Sequence, residues 1–384
     1  MTFIISFQRA IDRYIGALIC LILNIVDMII SPSYKRVKID NILIVRLWAI
    51  GETILVLPMI ERLRKEYPKA KISVLTTPRV KEVFESVGFI DEIMVLGWDN
   101  RKLFKKFDMV FDTEPFLRIS AIMAWFTGKK IIGFDGSVRS LLYSVRVPYN
   151  DRQHVVQVYL DMLREIGIKA EADRLVKLMF DANDESIAKQ LVVRLKKPII
   201  GICATSAESA GSRRWPQERF AELSDQLIKD FQASIIFFGI PSDEKYNDEI
   251  IDMISESKNV LNAAGKTTLK QLYALIERCD LVVSNDTGPM HISAAMDTKT
   301  LGLFGPNTPV RFAPYGSGNE SIYIKHQCSP CINVHKGDIC DCRNPICIEA
   351  ITVANVFRTI KRMLRKNNKN QGSQLFGFSS FAGR

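Results

Sequence analysis

Between residues 41 and 304, short apolar runs alternate with longer segments whose apolar residues recur every three or four positions. Such alternation is typical of βαβ units that form a parallel sheet. The pattern predicts strands at 42–45, 72–75, 93–96, 109–111, 130–133, 199–203, 233–238, 281–284 and 300–304. It predicts helices at 54–67, 155–166, 216–230, 244–257 and 269–278.

The alternation occurs twice, on either side of a polar stretch of mixed charge at 181–197. We therefore expect an α/β protein with two Rossmann-like parallel-sheet domains that face a cleft. Ligands bind such sheets outside the carboxyl ends of the strands. Both domains should then contribute to a site in the cleft.

The most apolar stretch, residues 14–30, precedes the first predicted strand. It falls short of the roughly 20 apolar residues of a membrane-spanning helix, and Asn24 and Asp27 interrupt it. Five basic residues flank it: Arg9, Arg13, Lys35, Arg36 and Lys38. Such cations favour contact with anionic lipid. Three interpretations stay open: a helix in the membrane interface, a short anchor, or a helix packed on the protein's own body.

Near the other end, apolar residues recur at helical spacing among basic ones. The apolar set is Val353, Val356, Phe357, Ile360 and Leu364. One interpretation is a closing helix with a solvated basic face, and the other is a second attachment to anionic lipid or to an anionic acceptor. We expect the polar residues 367–384 to form a mobile tail.

The formal net charge of +10 changes little in this picture, because it is concentrated at the ends. Residues 1–39 contribute +3 and residues 358–384 contribute +7, so the body of the chain is close to neutral. A nucleic-acid-binding domain would carry its basic residues on the folded body. The 47% hydrophobic and 24% charged residues are proportions of a globular protein. Composition therefore excludes a nucleic acid as partner.

A first candidate site follows the first strand, in the loop at 46–53. A dinucleotide-binding turn needs several glycines, and this loop has only Gly51. Glu52 stands at the mouth of the next helix. It is either an acid that complements the helix dipole or a general base that points into the cleft.

A second candidate site, residues 284–291, lies between a strand and a helix. Gly288 lets the backbone approach a ligand closely, and Pro289 suits a first helical turn. The free amides of a helix N-terminus bind anions. Asp286 and His291 add polar groups at the same rim, so we favour an anion site over an ordinary helix cap.

A third loop, residues 206–215, ends in Arg213, Arg214 and Trp215. Arginine is permanently charged and carries forked donors, so two guanidiniums beside a helix start suit a pyrophosphate. The alternative is a surface ion pair with Trp215 as a packing residue.

Five of the eight cysteines lie within 20 positions, between 328 and 347. Cys328, Cys331, Cys340 and Cys342 are weak candidates for a structural metal such as zinc. A loop of reduced thiols is the alternative, because the spacing of Cys340 and Cys342 departs from that of a zinc knuckle.

Together these segments resemble the glycosyltransferase family 9 heptosyltransferases over residues 40–355. Residues 42–58 are similar to the family's opening strand, basic residue, Gly-Asp loop and Leu-x-x-Pro helix. Residues 213–220 are similar to its Lys/Arg-x-Trp-Pro-x-x-x-Phe segment. Its Asp-x-Gly-Pro-x-His signature matches 286–291, and its Leu-Phe-Gly-Pro-x-x-Pro run matches 303–309. A Cys-x-Pro-Cys element of some members also recurs here.

The resemblance implies a GT-B fold with an acceptor domain before a nucleotide-sugar domain. We expect an N-terminal membrane-associating helix in 1–39, the acceptor domain at 40–185, the nucleotide-sugar domain at 196–345, a C-terminal helix at 346–366 and the tail at 367–384. The implied location is cytoplasmic, peripheral on the inner face of the inner membrane.

The resemblance also implies an inverting transfer of heptose, or a related sugar, from an ADP-heptose-type nucleotide sugar to a hydroxyl of the lipopolysaccharide core or another lipid-linked acceptor. No cofactor is required, although a structural zinc stays open. The family's catalytic Asp is Glu52 here, and its Lys before Trp is Arg213. Both substitutions leave room for a different sugar or acceptor.

In this interpretation Glu52 takes the proton from the acceptor, while Arg213 and the amides of the second site stabilise the departing diphosphate. The nucleotide-sugar set is Asp286, Thr287, Gly288, Pro289, Met290 and His291. The acceptor set is Arg46, Gly51 and His154, although His154 also suits a simple helix start.

Two other functions remain as alternatives. Glutamate in place of aspartate at position 52 favours a degenerate protein that binds a nucleotide sugar or glycolipid without turnover. A nicotinamide oxidoreductase is disfavoured by the missing glycines.

Overall fold

A computed structural model describes residues 2–30 and 38–374, except positions 334, 336, 338, 339 and 341. The chain divides into two compact units. The first contains Met1–Met179, Asn307–Tyr315 and Pro330–Asp341, and the second contains the remaining residues. Two late segments of the chain thus belong to the first unit. The units are therefore not continuous in sequence.

The first unit is built on a six-stranded parallel sheet. Its strands are β1 (Asn41–Val45), β2 (Lys71–Thr76), β3 (Glu92–Val95), β4 (Phe107–Asp112), β5 (Gly128–Phe134) and β6 (Val145–Val147), in the order β3-β2-β1-β4-β5-β6. In register, Ile42 of β1 lies opposite Ile72 and Met109. Residues 42–45 of β1 form an unbroken apolar run because a parallel sheet is buried on both faces.

Helices connect these strands and extend the unit. They are α1 (Thr2–Ile30), α2 (Ile50–Glu66), α3 (Pro78–Glu85), α4 (Arg118–Thr127) and α5 (Val155–Arg164) in the first part of the chain, and α11 (Pro309–Phe312) in a late segment. Local chemistry sets several helix starts. Pro78 occupies the first turn of α3, and the His154 side chain accepts a hydrogen bond from the Val156 amide at the start of α5.

One face of α1 packs on the first unit. The Asp12 carboxylate accepts hydrogen bonds from the amides of Arg118 and Ile119, at 3.0 and 2.8 Å, and so caps α4. No side chain of α4's own N-cap residue does this, so Asp12 satisfies free amides at a positive helix end. Further along α1, Cys20 is buried and Asp27 accepts a hydrogen bond from the Trp125 indole at 2.7 Å.

The second unit repeats the same architecture. Its strands are β7 (Ile199–Cys203), β8 (Ser234–Phe237), β9 (Val260–Asn262), β10 (Leu281–Asn285), β11 (Thr300–Phe304) and β12 (Glu320–Tyr323), in the order β12-β11-β10-β7-β8-β9. All pairs are parallel. Its helices are α6 (Ala182–Val192), α7 (Gln217–Phe231), α8 (Glu244–Ile251), α9 (Leu269–Glu277), α10 (Gly288–Ala295), α12 (Ile346–Glu349) and α13 (Val353–Gln374).

The helix predicted from the C-terminal apolar spacing is α13, which closes the second unit. Val353, Val356, Ile360 and Met363 are part of the hydrophobic core, with Phe357 and Leu364 packed against it. The interpretation as a closing helix is therefore confirmed, and Arg358, Arg362 and Arg365 are exposed on its other side. The residues predicted as a mobile tail lie partly within α13, and 375–384 fall outside the described residues.

The predicted strands are confirmed, but among the described residues three short strands (β6, β9 and β12) and five helices (α3, α4, α6, α11 and α12) were not predicted. The separator at 181–197 contains α6, which begins with an Asp181–Asp184 capping box. The helix predicted at 244–257 is too long, because α8 ends at Ile251. The backbone and hydroxyl of Ser255 instead bond to the Asp225 carboxylate, at 3.0 and 3.1 Å, which holds this segment outside a helix.

Each sheet reverses its strand order at one point. In the first unit the chain runs from β1 outwards to β3 and returns on the other side at β4. In the second unit the same reversal separates β7 and β10. Open parallel sheets bind ligands at such switch points, outside the carboxyl ends of the strands. The loops that follow β1, β4, β7 and β10 are therefore the places where sites are expected.

Candidate active site

The switch point of the first unit holds a buried network of charges. Arg46 follows β1 and is fully buried, and its guanidinium pairs with the Glu52 carboxylate at the start of α2. The same guanidinium donates at 3.0 Å to the Thr113 carbonyl and to the Tyr159 hydroxyl, and its Nε lies 3.7 Å from Glu114. Burial alone would lower the pKa of Arg46, but its three anionic or hydroxyl neighbours raise it above the ordinary value.

Glu52 is the part of this network that reaches solvent. Its side chain is 20% exposed, whereas those of Arg46 and Glu114 are buried. Gly51 beside it is buried in the first turn of α2. The arrangement presents one carboxylate at the edge of the sheet and holds it in place by a buried cation.

Glu114, after β4, fixes the loop that carries this site. Its carboxylate accepts hydrogen bonds from the amides of Leu47 and Trp48, at 2.7 and 2.9 Å. Burial raises the pKa of Glu114, while Arg46 and the Leu47 amide oppose that shift. Glu114 thus joins the two strand ends on either side of the switch point.

Sequence reasoning missed Glu114 and Tyr159. A usable signal existed for Glu114, because it stands directly after a predicted strand, as Arg46 and Glu52 do. Tyr159 lies within an amphipathic helix and offered no such signal. Nearby, Asp112 accepts hydrogen bonds from Ser120 and Tyr143, at 3.0 and 2.6 Å, and burial raises its pKa.

His154, predicted to contact an acceptor, lies in the first unit as the cap of α5. Its Nδ1 faces the Val156 amide at 3.2 Å, and its Nε2 lies 2.9 Å from the Ala313 carbonyl. Its ring packs against Tyr315 with centroids 4.5 Å apart. Burial lowers the pKa of His154 to about 4. Both ring nitrogens therefore have protein partners.

The switch point of the second unit brings Arg213 to Asp286. The Arg213 guanidinium lies 3.2 Å from both the carboxylate and the carbonyl oxygen of Asp286. The Arg213 side chain is 24% exposed, and its Nε is buried with no partner among the described residues. The neighbouring Arg214 instead bonds to Ser206 and lies over the Tyr246 ring.

Asn285 connects the two loops of this site. Its side chain accepts a hydrogen bond from the Trp215 amide at 3.1 Å and donates to the Ala204 carbonyl at 2.8 Å. The Trp215 ring is fully buried, and its indole nitrogen donates to the Ile351 carbonyl at 2.9 Å. Asn285 thus holds the segment that carries Arg213 against the end of β10.

The helix that follows, α10, begins at Gly288 with extended backbone at its N-cap residue Thr287. Pro289 lies in the first turn, as predicted. Thr287, Gly288 and Pro289 are half-buried, whereas Met290 and His291 are buried. The rim available to a ligand is therefore the Thr287–Gly288 end of the helix.

The cysteine-rich segment gathers no metal site among the described residues, where no group of three or more His, Cys, Asp or Glu side chains could hold a metal ion. Cys328, Cys331 and Cys342 are exposed, and Cys340 is half-buried. The His326 ring lies 3.3 Å from the Cys328 sulfur.

Two units, each built on a six-stranded parallel sheet of Rossmann type, form the fold of the GT-B class of glycosyltransferases. Residues 100–340, more than half of the chain, match the profile of glycosyltransferase family 9 (heptosyltransferase). The chain belongs to this family and is a glycosyltransferase.

Individual relatives agree with this assignment. The chain is 29% identical over 325 residues to lipooligosaccharide heptosyltransferase 2 of Haemophilus influenzae, covering 78% of this chain and 92% of the relative. Among solved structures, it is similar to E. coli ADP-heptose lps heptosyltransferase II, with a TM-score of 0.68, 22% identity, and coverage of 85% and 99%. A family 9 glycosyl transferase of Veillonella parvula gives a TM-score of 0.71 at 23% identity, with coverage of 87% and 100%.

Proposed function

We propose that this protein is an inverting heptosyltransferase that moves heptose from ADP-heptose to a hydroxyl of the lipopolysaccharide core. The observation that carries the proposal is the set of side chains at the two switch points. The first unit presents a solvent-reaching carboxylate, and the second presents a partly exposed arginine beside a helix N-terminus. The donor and acceptor follow the names of the relatives. Apart from glutamate in place of aspartate at position 52, no observation on the described residues or the relatives favours the degenerate binding protein.

Glu52 is proposed as the general base. It is the carboxylate of its network that reaches solvent, so it can accept the proton of an acceptor hydroxyl. Arg46 fixes the position of the Glu52 carboxylate, because a buried cation held by four protein contacts has little freedom to move. Arg46 would then act on the acceptor through Glu52. Direct acceptor contact by Gly51 and His154 stays a prediction.

Arg213 and the amides at Thr287–Gly288 are proposed to stabilise the charge that grows on the departing diphosphate. Preorganised donors at such a position are a large part of enzymatic rate acceleration. The 24% exposure of the Arg213 side chain supports this role, because a phosphate oxygen can reach its guanidinium. Asp286 would orient Arg213, while Pro289, Met290 and His291 would shape the helix start.

A donor panel tests the reaction. The purified protein is incubated with a heptose-deficient core oligosaccharide and with ADP-heptose, ADP-glucose or UDP-glucose, and products are identified by mass spectrometry. We expect addition of one heptose and release of ADP with ADP-heptose only, and no requirement for a metal in the presence of EDTA. Transfer from ADP-glucose or UDP-glucose would show that the protein uses a different donor. Binding of a nucleotide sugar without transfer would favour the degenerate alternative.

We also infer that α1 holds the protein on the cytoplasmic face of the inner membrane. Described helices include none long and apolar enough to cross a bilayer. Opposite the face capped onto α4, however, α1 exposes an apolar stripe formed by Tyr14, Leu18, Ile22, Ile25 and Met28, of which Met28 is 73% exposed. A monomeric soluble protein rarely exposes such a continuous stripe, and the adjacent Arg13 is exposed.

Vesicle sedimentation tests this attachment. Binding to phosphatidylglycerol-containing vesicles should exceed binding to pure phosphatidylcholine vesicles, and Leu18→Ser with Ile25→Ser should abolish it. Val193→Ser with Met253→Ser, which changes two exposed apolar residues of the second unit, is the matched control. Equal binding by both double variants would remove α1 from membrane attachment.

A further inference from the structure

The loop of the proposed base also presents an aromatic ring that the reaction above does not use. Trp48 lies between Arg46 and Glu52 and is 39% exposed. Its two preceding neighbours in the chain, Arg46 and Leu47, are buried. An isolated exposed apolar residue needs no explanation, so the contacts that hold this ring decide whether it is a site.

The backbone beneath Trp48 is fixed on two sides. The amides of Leu47 and Trp48 both donate to Glu114, and the Thr77 hydroxyl donates to the Leu47 carbonyl at 2.8 Å. The next residue, Ala49, adopts a positive φ of 63°, which non-glycine residues rarely do. Strained, over-determined backbone is concentrated at functional sites. The ring is therefore presented by a rigid loop.

A cation stands over the same ring. The Arg79 guanidinium, near the start of α3, lies 5.4 Å from the centroid of the Trp48 ring. Arg79 is exposed and pairs with no carboxylate within the described part of the chain. Because β1 and β2 are parallel neighbours, Trp48 and Arg79 follow the same edge of the sheet as Glu52. Their position is thus on the acceptor side of the proposed base.

We propose that Trp48 and Arg79 form a binding subsite for a sugar of the acceptor that bears a carboxylate or phosphate. An indole offers a broad apolar face on which a pyranose ring can stack. An arginine without an ion-pair partner can bind a carboxylate or phosphate through two parallel hydrogen bonds. The subsite rests on the proposed function, because it places an anionic sugar beside the group that would accept the proton.

The test compares acceptors and variants in the full-length protein. Three deacylated core oligosaccharides serve as acceptors: the native one, one with its phosphates removed and one with its carboxyl groups reduced. The variants are Arg79→Gln, Trp48→Ala and Trp48→Phe. Lys81→Gln is the matched control, because Lys81 is a half-buried cation of the same helix that pairs with Glu85. KM for acceptor and donor, kcat and the melting temperature are measured.

Arg79→Gln should raise the acceptor KM about tenfold, the size of one charge-assisted contact, with donor KM and melting temperature unchanged. Removal of the anionic group that Arg79 binds should raise the acceptor KM of the wild type by the same factor. With that modified acceptor, Arg79→Gln should have no further effect. The modified acceptor that gives this result shows whether Arg79 binds a carboxylate or a phosphate. Trp48→Ala should raise the acceptor KM with all three acceptors, and Trp48→Phe should restore most of the affinity. Lys81→Gln should behave as wild type.

An unchanged acceptor KM in Arg79→Gln and Trp48→Ala would overturn the subsite, as would an equal rise of the donor KM or a lowered melting temperature that accounts for the loss. If the wild type transfers no sugar, the proposed function fails separately. The three oligosaccharides are then titrated calorimetrically without donor. Affinity weakened by Arg79→Gln would still support the subsite, and absent or unaffected binding would overturn it.

Discussion

The two switch points place arginine in opposite environments. Arg46 is fully buried and its charge is balanced by two carboxylates, Glu52 and Glu114, whereas Arg213 is 24% exposed and forms an ion pair with one carboxylate, Asp286. A cation that is already neutralised can orient a neighbour but has little capacity left for a ligand. A partly exposed cation with a single carboxylate partner can still bind an anionic ligand. The same residue type therefore indicates a positioning role in the first unit and a binding role in the second.

The comparison predicts its largest contrast in stability. Arg46→Met leaves the buried carboxylate of Glu114 and the partly exposed carboxylate of Glu52 without their cation, and should cost about 3–5 kcal/mol in the free energy of unfolding of the first unit. Arg213→Met leaves one buried carboxylate, Asp286, at a position with partial solvent access, and should cost less, about 1–3 kcal/mol. Denaturant unfolding of both variants measures the difference, and equal losses would contradict the contrast.

Arg213, whose loss should affect stability less than the loss of Arg46, should contribute strongly to the rate of transfer. Arg213→Gln should lower kcat about 100- to 1,000-fold, the cost of losing one preorganised donor to a developing charge. Arg213→Lys should recover part of the rate, because it retains the charge without the forked donors. Steady-state kinetics with ADP-heptose give the values. A variant that changes only the donor KM would reassign Arg213 to ground-state binding.

A smaller effect, on the pH dependence of stability, is expected at His154, which is the N-cap residue of α5. Burial lowers its pKa from 6.5 to about 4. Between these pH values His154 is therefore protonated in the unfolded chain and neutral in the folded protein. Its contribution to stability is present above pH 6.5 and is lost as the pH falls towards 4, and we expect a loss of about 3 kcal/mol over this range. His154→Asn keeps a capping acceptor and should flatten this dependence.

Urea unfolding of wild type and His154→Asn across this pH range makes the measurement. Parallel curves for the two proteins would show that His154 is not the group responsible. A preserved acceptor KM in His154→Asn would in addition remove His154 from the acceptor set.

What the sequence could predict was local. Apolar runs revealed the strands, and Gly288 with Pro289 revealed the start of α10, because both signals lie within a few residues. The same reasoning placed Glu52 and Arg213 at strand ends. It also grouped Arg46 with the acceptor, because a sequence does not say whether an arginine after a strand points outwards or into the protein.

The contacts that define the site are long-range. Glu114 lies 67 positions from Leu47, and Tyr159 lies 113 positions from Arg46. Asp12 caps a helix that begins 106 residues later. None of these partners is set by a local pattern, because each depends on which strands become neighbours. Register and strand order, once known, bring them together.

The most direct test of the account is the function of Glu52 as base. Glu52→Gln keeps the size of the side chain and removes its capacity to take a proton, so kcat should fall at least about 100-fold. Calorimetry should give an affinity for ADP-heptose within twofold of wild type, because the donor is proposed to bind the second unit. Glu52→Asp should keep part of the activity. A Glu52→Gln protein with near-normal kcat would contradict the account.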